Sequence, residues 1–287
     1  MARSIVALAL TAALLPAAAP ARAAAPDGPC SSSRHPKAAE RLGARIRQAL
    51  RGRAGTESVA VYDRGRGIRC AVAAGRRYDS ASVVKVTVLG ALLRQAADED
   101  RPLTAAERVR ARRMITRSDN RATSELWRSV GRARIADFID QAGMARTGLD
   151  PGGRWGLTQI TAHDEMELLR RLTAPNVLLP AKARAYTLRL MHEVVPAQRW
   201  GTPAGRPAGV TWHVKNGWLP RPGRRWRVHS IGSFDGHGED YMIVVLTQDT
   251  PSMAYGVATI ERVARTVHRT LARTKLPTPP DRMRKAL

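Results

Sequence analysis

The sequence predicts an α+β fold in three layers: a five-stranded antiparallel sheet with the terminal helices on one face and an all-helical lobe on the other. Three observations predict it. The elements run helix, two strands, a long helical block, three strands, helix. Two early and three late strands most economically share one sheet, and no repeat with a period of roughly 20–50 residues offers a solenoid instead. Hydrophobic residues make 44% of the 287 and charged residues 25%, a balance that excludes disordered, collagen-like and multi-span membrane chains.

The elements follow from local pattern. Lys37–Leu50 carries Ala39, Leu42, Ile46 and Leu50 at near-helical spacing. Ser58–Asp63 alternates, Arg64-Gly65-Arg66-Gly67 is turn chemistry and Ile68–Val72 returns, which makes a hairpin. Val83–Leu93 is a strongly apolar helix, and helical segments continue to about Ala142. Pro151-Gly152-Gly153 breaks the pattern, and Thr161–Leu172 and Ala181–Val194 resume it. Thr211–Asn216, Arg227–Ser233 and Tyr241–Thr247 read as strands, and Met253–Leu271 closes as an amphipathic helix. The expected organisation is a leader at 1–23, a flexible lead-in at 24–36, one domain at 37–272 and a basic tail at 273–287. Within the domain, 37–80 and 205–272 form the sheet lobe and 81–204 the helical lobe, with a cleft between them as the natural site.

The first residues predict export. Arg3 precedes an uncharged apolar run, Ser4–Ala19, and Ala21-Arg22-Ala23 fits a small-x-small cleavage site after Ala23. The run is short for a membrane span of roughly 20 residues. No Cys follows Ala23 directly, which argues against a lipoprotein anchor. The chain is therefore expected outside the cell, associated with the wall or free, as a monomer without a transmembrane span. Lys and Arg total 48 against 24 acids, a net charge of +24. Such a surface attracts polyanions. Outside the cell that means anionic wall polymers rather than nucleic acid, and an ordinary solvated Arg-rich face reads equally well. Cys30 and Cys70, the two cysteines, can pair in an oxidising compartment or stay as two thiols.

Three short motifs carry the chemistry. In Ser82-Val83-Val84-Lys85, Ser and Lys share one helical face. A desolvated Lys beside a Ser can act as its base. Read alone, Ser82 is equally a helix N-cap, but Lys85 is the only charge between Asp79 and Arg94. Ser118-Asp119-Asn120 lies between two helices, where an Asx turn or cap is the plain reading. Lys215-Asn216-Gly217 ends a strand, where an exposed turn Lys is the plain reading. His163, His192, His213, His229 and His237 are scattered without metal-site spacing, and no nucleotide loop appears, so no metal or cofactor is expected.

Together and in this order the three motifs match the S-x-x-K, S-D-N and K-T-G set. The chain resembles the active-site-serine β-lactamases and penicillin-binding proteins, most closely class A β-lactamase-like serine hydrolases, over roughly Lys37–Leu271. Tyr78, four residues before Ser82, and the run Asn120-Arg121-Ala122-Thr123 extend the match. The resemblance implies Ser82 as nucleophile, Lys85 as its base and Ser118 as the hydroxyl that relays a proton to the leaving nitrogen. It implies that Asn120 orients Lys85 and the substrate amide, and that Lys215 meets the substrate carboxylate. Gly217 would leave room for substrate, and the backbone N–H groups of Ser82 and Trp218 would form the oxyanion hole.

Three departures qualify the match. Asn216 stands where the family prefers Thr or Ser, and is expected to bond the substrate carboxylate with altered geometry. The stretch from Ser82 to Ser118 is short, so the helical lobe is trimmed on one side. The Ω-loop equivalent, Leu149–Gln159, has no Glu, and its one carboxylate is Asp150. Downstream, Thr161-x-x-Asp164 reads as a capping box that occupies Asp164 with backbone, and Glu165 and Glu167 read as solvent-facing. The expected function is an acyl hydrolase acylated at Ser82 by β-lactams or by D-alanyl peptides or esters, with slow deacylation. The alternatives are a non-catalytic muropeptide-binding wall protein and a penicillin trap.

Overall fold

Met242, Val244 and Leu246 point into one apolar core, and Ile243 and Val245 into another. This is the alternation of a strand covered on both faces. The strand lies inside the main sheet of a computed structural model that describes residues 28–274. The expected leader and all but the first two residues of the expected tail lie outside the described residues.

In chain order the elements are β1 (Cys30–Ser31), α1 (Pro36–Leu50), β2 (Thr56–Asp63), β3 (Ile68–Val72), β4 (Arg77–Asp79), α2 (Lys85–Asp98), α3 (Ala105–Thr116), α4 (Asn120–Val130) and α5 (Arg132–Ala142). There follow β5 (Gln159–Thr161), α6 (Ala162–Thr173), α7 (Ala181–His192), β6 (Thr211–Arg221), β7 (Arg225–Gly236), β8 (Glu239–Thr250) and α8 (Met253–Ala272). The main sheet has the order β1-β3-β2-β8-β7-β6 and is antiparallel throughout. Leu42 and Ile46 of α1 and Ile260, Val263 and Val267 of α8 fill one core. The helical lobe fills the other through Leu89 and Leu92 of α2, Phe138 of α5 and Leu168 and Leu169 of α6. Helices α2 and α5 cross so closely that a Cβ on Gly90 would lie 2.3 Å from the Phe138 ring. Among the described residues no helix is long and apolar enough to cross a membrane.

The α+β reading holds, with a sixth strand added. Part of the expected flexible lead-in is ordered: Cys30 sits opposite Cys70 on β3, the two form a disulfide, and Ala71 N donates to the Pro29 carbonyl at 2.7 Å. Two residues of strand are too few to show alternation, and ladder and bridge hold them in place of propensity. The pair β4·β5 was also illegible for its length. Strand β6 runs five residues past the expected end at Asn216, through Gly217 and Pro220. It pairs only with β7, so it is an edge strand that tolerates a proline.

Candidate active site

The site begins with a short strand and a tight turn. Tyr78 on β4 is fully buried, with its hydroxyl 2.8 Å from Ser58 Oγ and its ring edge-on to His229 at 5.8 Å. His229 on β7 bonds the Asp79 carbonyl at 2.8 Å, and burial lowers its pKa to about 4, so it serves here as a neutral ring. Ser80 N donates to the Thr158 carbonyl. Thus tied, the chain passes through Ala81 at φ +48°, a conformation that costs a non-glycine residue free energy. It then enters a 3₁₀ turn, Ala81–Val84, that leads into α2. In 3₁₀ geometry residues i and i+3 eclipse, so Ser82 and Lys85 share one side.

Ser82 is 9% exposed and lines a cleft of about 730 Å³ between the lobes. Lys85 lies beneath it with no exposure. The Lys85 Nζ donates to the Ser118 carbonyl (2.6 Å), Ser118 Oγ (3.0 Å) and Asn120 Oδ1 (2.8 Å). All three ammonium protons are spent there, and the Ser82 hydroxyl is not among its partners. Burial pushes the Lys85 pKa down to about 7, with the Asp119 carboxylate pulling against it. The group thereby becomes a base near neutrality instead of a fixed cation.

Ser118 stands between two lysines. Lys215 on β6 donates to Ser118 Oγ at 3.1 Å and to the Asn216 carbonyl at 2.8 Å. Burial and the Lys85 charge hold Lys215 well below the usual lysine range. A hydroxyl has two acceptor lone pairs and one proton. With both lone pairs facing amines, the Ser118 proton is left to point elsewhere. Ser118 itself sits at φ +55°, and Asp119 caps α4 by accepting from Ala122 N at 2.9 Å. Lys215 is 1% exposed and does not line the cleft, so a substrate carboxylate would meet it through Ser118 or after local opening.

Strand β6 passes the Ser82 turn so closely that only glycine fits at 217. A Cβ there would lie 2.9 Å from Ser82 N and 3.0 Å from Val83 N. Trp218 follows at the cleft wall. Asn216 corrects the expectation placed on it. Both its amide protons go to backbone carbonyls, of Gln198 and Trp200, each at 2.9 Å, and it is buried outside the cleft. It ties down a loop. The residue type gave no sign of this, because the direction of the side chain depends on a loop far off in sequence.

The Ω-loop equivalent forms the opposite wall. Trp155 lies with its ring centroid 5.0 Å from Lys85 Nζ, and its indole N–H donates to Ser124 Oγ at 3.1 Å. Asp150 is held by Arg154 at 3.0 Å and does not line the cleft. Among the described residues, no Asp or Glu lines the cleft. Glu165 is not solvent-facing as expected. It is fully buried without a hydrogen-bond partner, and burial pushes its pKa up to about 8. Asp164 is occupied, as its position at the helix start suggested, but by Arg146 N and Thr147 Oγ1, each at 2.8 Å. Thr161 caps the helix without a reciprocal bond from Asp164. Sequence reasoning missed the α4 wall of Ser124, Trp127 and Arg128. With Asn120 they form one stripe at helical spacing, a signal that was present.

Residues 108–271 match the model of the beta-lactamase enzyme family, a span that holds Ser118, Asn120 and Lys215 and begins after Ser82 and Lys85. The chain is 28% identical over 236 residues to the Mycobacterium tuberculosis protein named "Putative lipoprotein LppW", covering 79% of this chain and 74% of that protein. Its fold is similar to that of the TLA-1 extended spectrum beta-lactamase, with a TM-score of 0.73 at 17% identity over 82% of this chain and 99% of that one. It is also similar to PBP-A, with a TM-score of 0.71 at 21% identity over 82% and 97%. A PBP-A variant has been seen as an acyl-enzyme complex with penicillin G.

Proposed function

The chain belongs to the beta-lactamase enzyme family, and from that premise we propose that it is an exported active-site-serine acyl hydrolase whose Ser82 is acylated by β-lactams or by D-alanyl peptides and esters. The observation that carries this reading is the bonded array Lys85–Ser118–Lys215 beside a cleft-facing Ser82. Lys85, as a neutral amine, takes the Ser82 proton as Oγ attacks the carbonyl. The proton reaches the leaving nitrogen through Ser118. Asn120 holds Lys85 and bonds the substrate amide. The Ser82 and Trp218 backbone N–H groups receive the oxyanion, a contribution worth about 3 kcal/mol per donor.

Release is the slow step. Hydrolysis of the ester needs a water deprotonated beside it, and general-base help is worth roughly 10²–10⁴-fold. The carboxylate-free cleft supports the absence of that help. Substrates whose leaving group clears the cleft are turned over better than β-lactams, which stay tethered. The runner-up reading is a penicillin trap or a non-catalytic muropeptide-binding protein. It is favoured by the same missing carboxylate.

The test is labelling by a fluorescent penicillin. The wild type takes a covalent label at Ser82, and Ser82→Ala and Lys85→Ala take none. A label retained in Ser82→Ala would overturn the reading.

A further inference from the structure

On the face of the sheet away from the cleft, α1 and α8 leave a groove of about 340 Å³ between them. Its walls carry Arg45, Arg262, Arg269 and Arg273. Among the described residues none of the four forms an ion pair, although most of the acids there are paired with other arginines. Three are steadied by single weak bonds: Arg45 to Thr270 Oγ1 at 3.3 Å, Arg262 to the Gln48 carbonyl at 3.5 Å and Arg269 to the Arg265 carbonyl at 3.1 Å. Each guanidinium has five N–H donors, so most of the donors in the groove are free for a ligand. Four like charges around one hollow repel each other until an anion enters.

We propose that this groove is a binding site for a polyol-phosphate polymer, a chain of phosphodiesters without bases. A guanidinium fork matches two oxygens of one phosphate. Arg262, Arg269 and Arg273 run along α8, and eleven residues of helix at 1.5 Å each extend about 16 Å. That is a track for successive phosphates and longer than one ion needs. The Thr266 and Thr270 side chains lie between the arginines as uncharged partners for polyol hydroxyls. No aromatic residue lines the groove, so it offers no platform for stacked bases. The site is remote from Ser82 and stands or falls independently of the acyl-hydrolase reading.

The test is fluorescence anisotropy of the full chain with labelled oligo(glycerol phosphate) at several salt concentrations. The variant is Arg262→Ala with Arg269→Ala. The control, Lys182→Ala with Arg189→Ala, removes the same charge from exposed positions on α7. Circular dichroism and the melting temperature confirm that each variant is folded. The groove variant is expected to weaken binding at least tenfold and to reduce the salt slope by about 1.5, since each phosphate contact contributes about 0.7–0.9. The control is expected to stay within about twofold of wild type, as loss of diffuse charge implies. Equal losses in both variants would overturn the site. So would equal, equally Arg-sensitive binding of single-stranded DNA with the same number of phosphates, or binding only to phosphatidylglycerol vesicles.

Discussion

Gly217 and Ser82 are fitted to each other: the backbone nitrogen of Ser82 lies 2.9 Å from where any side chain at 217 would begin. The strand that lines the cleft and the turn that carries Ser82 are therefore in contact through bare backbone. Gly217→Ala must push them apart, and the neighbours it meets are main-chain atoms that cannot swing away. The expected result is a loss of penicillin acylation of about 10²-fold, the effect of misplacing an oxyanion donor. Overpacking of this kind costs about 1–3 kcal/mol, so the variant should still fold. The rate of label uptake and the melting temperature, measured together, check this.

The lowered Lys85 pKa sets a pH profile. Below about 7 the amine is protonated and cannot take the Ser82 proton. Acylation rates measured by rapid mixing should rise about tenfold per pH unit up to that point and level off above it. Lys85→Arg, which stays protonated, should show no rising limb. A flat profile in the wild type would mean that Lys85 is not the base.

Glu165 governs stability and leaves the chemistry alone. Its folded pKa of about 8 lies above the ordinary carboxyl value of 4.5, so between those pH values the folded state holds a proton that the unfolded chain has lost. Stability from this group is complete below pH 4.5 and declines as pH rises toward 8. Glu165→Gln should therefore raise the melting temperature at pH 8 and leave it nearly unchanged at pH 4. The lifetime of the Ser82 adduct should be the same in both proteins. A longer-lived adduct in the variant would show that Glu165 reaches the acyl ester.

Asn216→Thr restores the residue that the family prefers at this position, and it should not improve the enzyme. It removes the two bonds to the Gln198 and Trp200 carbonyls. Each such bond is worth about 1 kcal/mol, so thermal melts should show a loss of a few degrees, with no gain in acylation rate.

The motif residues were legible because their information is local. Ser82 and Lys85 are one turn apart, Ser118 and Asn120 flank a helix cap, and Gly217 follows Lys215 on one strand. What the sequence withheld depends on which way a side chain turns after distant segments meet. Asn216 faces a loop 16 to 18 residues upstream, and Glu165 faces the core from a helix that otherwise shows a regular polar face. Trp155 lies over Lys85 because Ser80 and Ser124 fix its backbone and its ring, contacts made across 31 to 75 residues. The overall order of helices and strands was readable from periodicity. Strands of two or three residues carry no period, and β1, β4 and β5 were lost for that reason.

The central claim is that Ser82 is acylated readily and released slowly. Intact-protein mass spectrometry after mixing with penicillin G tests it most directly, sampled from seconds to hours. The account predicts rapid appearance of one adduct of the full mass of the drug, its absence in Ser82→Ala, and persistence long after free drug is removed. Drug consumed at more than about 10 s⁻¹, the rate of an ordinary efficient enzyme, with no adduct accumulating would contradict it.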